Sequence, residues 1–139
     1  MEIPAQLAEN AVDRGSILIT RFRGIDHPKF FVVIGISDDA IIAGFFYINS
    51  EINTNVNRKP EQLQMQYKIM CADYNFLSYD SYICATEIVK LPKSDIAKGI
   101  REKRVSIKDT LKQQHIDELL SLVRNSKLFS EKDKRQFLY

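Results

Sequence analysis

Residues 29–48 read KFFVVIGISDDAIIAGFFYI. Two apolar runs, KFFVVIGI (29–36) and AIIAGFFYI (40–48), flank Ser37-Asp38-Asp39. Each run is eight or nine residues long and rich in β-branched and aromatic residues, which suits strands better than helices. The near absence of polar alternation in 29–36 predicts a central strand buried on both faces. A three-residue polar connection between two such runs predicts a hairpin.

Working outward, GSILITRF (15–22) supplies a first strand after Gly15, and RGIDHP (23–28) a turn built on Gly24, Asp26 and Pro28. NSEINTNVNRKPEQ (49–62) is polar and forms the longest loop candidate; long loops in compact domains often carry function. LQMQYKIMC (63–71) alternates Leu63, Met65, Tyr67 and Ile69 with polar residues, the pattern of a half-buried strand. DSYICATEIVKL (80–91) reads as one last long strand, with Tyr82, Cys84, Thr86 and Ile88 on one face. Pro92 ends it, because proline cannot donate to a ladder. Ser94-Asp95 predicts a single helical turn reaching Gly99. Ile116, Leu119, Leu120 and Val123 make the apolar stripe of a helix near 110–124, with Thr110 and Gln113 as a capping box. Ser130 is placed to cap a short final helix. Strands are therefore expected near 15–22, 29–36, 40–48, 63–71 and 81–90.

The chain has 139 residues, 45% hydrophobic and 27% charged, which suits a single folded domain over 1–139. A net charge of +2 is too small by itself to imply nucleic acid. The first residues, MEIPAQLAENAVDRG, lack the basic flank and apolar run of an export signal, and no apolar run approaches a membrane span. Cys71 and Cys84 are then expected as reduced thiols of a cytoplasmic protein, a disulfide staying open if their strands pair, and no histidine stands near them at zinc-ligand spacing.

Five strands with short hairpins, one long polar loop and terminal helices predict a mainly β domain curled into a small barrel (about 15–91), followed by a helical part (about 94–139). Gly-Ser-Ile-Leu-Ile near the start, then FFVVIGIS, then FLSYDSYICATEIVKLPKSDI, then Leu111, Ile116 and Leu119-Leu120 resemble the MazF/PemK-like toxin family. The resemblance runs over roughly residues 14–123. It implies an SH3-like barrel with helical additions and a homodimer. It also implies cleavage of single-stranded RNA without metal or other cofactor, and neutralisation by a small antitoxin protein. Asp80-Ser81-Tyr82 would be where the family's last strand begins, with Asp80 and Ser81 fixing the turn rather than acting chemically. The sequence departs from the family at one place: the arginine-proline pair before the second strand is replaced by Asp26-His27-Pro28-Lys29. The family's hydroxyl residue after the third strand falls near Ser50.

Metal-independent RNA cleavage needs a base, an acid and cations for the phosphate. Histidine is the side chain suited to moving protons at physiological pH, and His27 is the candidate for proton transfer. Arg23 is a second catalytic candidate and Ser50 a third, as a positioning hydroxyl. Lys29, Arg58 and Lys59 are candidates for holding RNA phosphates. The same His, Arg and Lys in one loop also fit an ordinary solvated turn. Segment 98–112 holds six basic residues against Glu102 and Asp109, a surplus of four. It reads equally as a nucleic-acid footprint or as a solvated connection. Tyr67, Tyr74, Phe76, Tyr79 and Tyr82 crowd one segment and fit either base stacking or a core. A second class of function stays open: a non-catalytic barrel that binds a protein partner.

Overall fold

The computed structural model describes residues 4–54 and 57–139. Seven strands form one antiparallel sheet: β1 (Ser16–Thr20), β2 (Lys29–Ile36), β3 (Ile42–Asn49), β4 (Gln66–Ile69), β5 (Ser81–Cys84), β6 (Val89–Pro92) and β7 (Ser106–Thr110). The helices are α1 (Ala5–Asn10), α2 (Pro60–Gln64), α3 (Lys93–Arg101), α4 (Gln113–Arg124) and α5 (Glu131–Asp133), the last running into a π-helical turn, Lys134–Leu138. The strand order is β4-β5-β3-β2-β1-β7, with β6 also on β3. The fold is mainly β, as the sequence implies. The sheet is not closed into a barrel: β4 and β7 end the path and do not pair with each other.

The β2–β3 hairpin forms where the apolar runs predict it. Its connection is held by Asp39, which accepts from the Ser37 hydroxyl at 2.6 Å and the Ile41 N–H at 3.1 Å. Ala40 takes a left-handed conformation there (φ 62°). Both faces of the hairpin are covered. On one face Val32, Ile34, Phe46 and Ile48 join Ile17, Ile83, the α4 stripe (Ile116, Leu119, Leu120, Val123) and Phe129, Phe137 and Leu138. On the other, Leu18, Phe31, Val33, Ala43 and Phe45 pack on Ala8 and Val12 near α1 and on Ile96, Ala97, Ile100 and Val105 of the α3 region. A strand buried on both sides has no place for polar alternation, and β2 and β3 accordingly show none.

The C-terminal residues fold onto the sheet, with Phe129, Phe137 and Leu138 buried. Gly35 pairs with Gly44, and Phe137 lies over the pair. A Cβ on Gly35 would stand 1.9 Å from the Phe137 carbonyl oxygen, and one on Gly44 2.9 Å from its ring. The Arg14 guanidinium donates to the carbonyls of Ile34 (2.8 Å), Phe137 (3.1 Å) and Tyr139 (3.2 Å). Arg124 donates to the Leu138 carbonyl. Ser130 caps α5 through the Asp133 N–H at 3.1 Å, as its position predicts.

Several elements differ from the sequence expectation. Only Gln66–Ile69 of 63–71 is strand; Pro60 starts a helical turn that carries Leu63 to an exposed site. The expected strand over 81–90 is two. β5 pairs with the end of β3 (Ile48↔Ile83) and β6 with its start (Phe45↔Val89), so six residues on this chain span three on β3. The extra residues bulge at Ala85–Ile88, where the Ala85 N–H bonds the Met65 carbonyl at 3.0 Å. The face shared by Tyr82, Cys84, Thr86 and Ile88 is broken there. α4 begins at Gln113, because Thr110 belongs to β7; the Thr110 capping box does not form. α3 is nine residues rather than one turn, and α1 and β7 were not expected.

Candidate functional site

Antiparallel pairing brings the start of β2 and the end of β3 to one end of the sheet. There Lys29 and Asn49 meet, and the Lys29 ammonium donates to the Asn49 side-chain carbonyl. The same ammonium stands 4.9 Å from the centre of the Tyr47 ring, a cation–π distance. Partial burial pushes the Lys29 pKa down, since desolvation disfavours the charged form; Cys84 opposes the shift.

Residues 76–81 close the other side. Phe76 packs on Phe30 with ring centres 5.0 Å apart. Asp80 accepts the Cys71 N–H at 2.9 Å, and the Ser81 hydroxyl donates to the Tyr79 carbonyl at 2.9 Å. These bonds fix the turn, the structural role expected of Asp80 and Ser81. Between the two sides lies a cleft of about 500 Å³. Lys29, Asn49 and Ser81 are among its lining, with His27, Ser50, Glu51 and Tyr79 also on it. Tyr79 is 70% exposed, an aromatic face free for a ligand. His27 is also open to solvent, its side chain 64% exposed, and its Nδ1 lies 2.9 Å from Asp26. The hydrogen bond from His27 draws the Asp26 carboxyl below its ordinary pKa.

Of the residues singled out in the sequence, His27, Lys29 and Ser50 come together on this cleft. Arg23, Arg58 and Lys59 are exposed and lie outside its lining. Asn49, Glu51 and Tyr79 complete the polar wall; Asn49 and Glu51 were not assigned to a site from the sequence, and Tyr79 was named only among aromatics that fit base stacking or a core. Asn49 and Glu51 flank Ser50 in the chain, so the strand end was the available signal; Tyr79 arrives through a long-range turn.

The aromatic-rich segment divides by role. Tyr74 is buried, with its hydroxyl 2.6 Å from His115 Nδ1, and it accepts the Lys112 N–H at 2.9 Å. Tyr67 donates to Glu118 on α4, and burial first, then Glu118, push its phenol far above the ordinary value. This network seats α4 on the sheet. Cys71 and Cys84 are free thiols, and among the described residues no three metal-ligating side chains stand together. Among the described residues no helix is long and apolar enough to cross a membrane.

No protein-family model matches the chain, and no curated protein matches it.

Proposed function

We propose that the protein is an RNA-binding endoribonuclease of the MazF/PemK-like kind, its curled sheet an opened relative of the SH3-like barrel. The observation that carries this reading is the cleft itself. Lys29, a half-buried cation, is among its lining residues, with His27, Ser50, Glu51 and the exposed Tyr79. A cation freed from part of its hydration binds a phosphate more strongly than a fully solvated one. An exposed aromatic ring beside it suits an unstacked base, which single-stranded RNA offers and a duplex does not.

In this reading the 2′-oxygen bonds phosphorus as the bond to the 5′-oxygen breaks, giving a cyclic phosphate and a free 5′-hydroxyl. Glu51 accepts the 2′-hydroxyl proton, and His27, as imidazolium, gives a proton to the departing oxygen. Lys29 holds the phosphate charge, and Ser50 orients it. The family resemblance alone supplies the antitoxin partner, the homodimer and the cytoplasmic setting.

A second reading, a non-catalytic module binding a protein partner, is favoured by the missing arginine-proline pair and by His27 lying on the rim. Purified protein incubated with single-stranded RNA in EDTA separates the two. Cleavage that falls by about 100-fold or more in His27→Ala supports the first reading. RNA left intact by the wild-type protein supports the second.

A further inference from the structure

Lys29 is held in a way that an ordinary surface lysine is not. Its ammonium donates to the Asn49 side-chain carbonyl and lies 4.9 Å from the centre of the Tyr47 ring. Both partners are uncharged: among the described residues no carboxylate stands within 4.0 Å of it. Burial, opposed by Cys84, holds the Lys29 pKa below the ordinary lysine value, so more of it is free amine near neutrality. The free amine is the nucleophilic form. His27, Glu51 and Tyr79 are the titratable groups that share the cleft lining with it, and Tyr47 and Cys84 are those that act on it from the sheet.

These partners select among electrophiles. Asn49 accepts an N–H, and the face of Tyr47 favours a positive charge. Acylation of Lys29 would keep an N–H but erase the charge. An aldehyde leaves both. The amine adds to the carbonyl carbon, the carbinolamine loses its hydroxyl as water, and the nitrogen ends as an iminium with one N–H. Ammonium and aldehyde thus give iminium and water. The proton that the ammonium gives up leaves again on the departing hydroxyl, with His27 and Glu51 on the lining to carry it. No oxidant or reductant enters. The cleft, at about 500 Å³, has the size of a small-molecule site. Phe76 and the 70% exposed Tyr79 line it and offer faces to an aromatic ring.

We propose that Lys29 is a carbonyl-capturing residue, which takes a small aromatic aldehyde as an iminium within the cleft. The proposal shares the cleft with the RNA reading but does not rest on it: capture is read without RNA, so either can fail alone.

The test incubates the full chain with benzaldehyde or propanal and cyanoborohydride at neutral pH, and maps the reduced adducts by peptide mass spectrometry over time. With benzaldehyde, Lys29 should be labelled at least about tenfold faster than the exposed Lys59 and Lys108. Lys29→Arg keeps the charge and forms no imine; it should lose that adduct while Lys59 is labelled as before. Asn49→Asp sets a carboxylate against the ammonium and should slow capture several-fold. The proposal is overturned if Lys29 is labelled no faster than Lys59 and Lys108, or if Asn49→Asp captures as fast as the wild type. It is also overturned if propanal favours Lys29 over Lys59 as strongly as benzaldehyde does, since the aromatic faces would then select nothing.

Discussion

The two ends of the β2–β3 hairpin do opposite things with the same pair of strands. At the turn end, Gly35 faces Gly44, and the missing side chains leave a trough that Phe137 fills. At the other end, Lys29 and Asn49 bond each other and line an open cleft. One end is closed by shape, with a buried aromatic ring and two arginines on the tail carbonyls. The other keeps a cation half out of water without an acidic partner within ion-pair distance among the described residues. Under the proposed function, stability and chemistry are separated along the strands. Changes at the glycine end should unfold the protein, and changes at the lysine end should leave it folded.

The largest effect belongs to Phe137, which is 1% exposed. Phe137→Ala should cost about 3–5 kcal/mol, read by urea denaturation, through lost burial and the cavity left behind. A cost under about 1 kcal/mol would show that the tail does not brace the sheet. Gly35→Ala comes next. Its Cβ would meet a carbonyl oxygen rather than a yielding side chain, so the tail must shift. A loss of about 1–3 kcal/mol is expected, together with faster proteolysis after Arg124 or beyond. Ala40→Gly probes the hairpin turn with the opposite sign. It relieves a left-handed alanine and should stabilise by up to about 1 kcal/mol, seen as a raised Tm.

The smallest effect is a pH slope at the cleft end. Burial lowers the Lys29 pKa in the folded state, so the unfolded chain binds more protons between the folded and unfolded values. Stability contributed by this site therefore rises as pH climbs through the lowered value toward the ordinary lysine pKa. Lys29→Met removes that rise. Unfolding curves from pH 8 to 11 should show a flatter slope for the variant than for the wild type, and parallel slopes would remove the claim of a desolvated lysine.

The hairpin was legible because burial on both faces writes itself as an unbroken apolar run. β7 was not, because Ser106–Thr110 pairs on one side only and shows no apolar face; its charges hid its conformation. α1 buries only Ala8 within its span, too little for a periodic signal. The break between β5 and β6 was missed although Thr86 and Glu87 set two polar residues side by side, where the backbone bulges toward Met65. At the site, His27 and Lys29 were found from their own turn, and Ser50 from the strand end that follows. Tyr79 was named only among aromatics fitting base stacking or a core, since its place on the cleft depends on the Asp80–Cys71 bond and on Phe76 meeting Phe30 across the fold. Arg23 lies close to His27 in sequence yet outside the cleft, because four residues of a turn suffice to leave it.

The central claim is that ligand chemistry sits at the lysine end of the hairpin and nowhere on the braced end. An NMR titration of the full chain with a single-stranded RNA octamer tests it most directly. The account predicts amide shifts at Lys29, Asn49–Glu51 and 76–81 that weaken steeply with added salt, with residues 131–139 unmoved. Shifts absent from the cleft, or confined to residues 98–112, would contradict it.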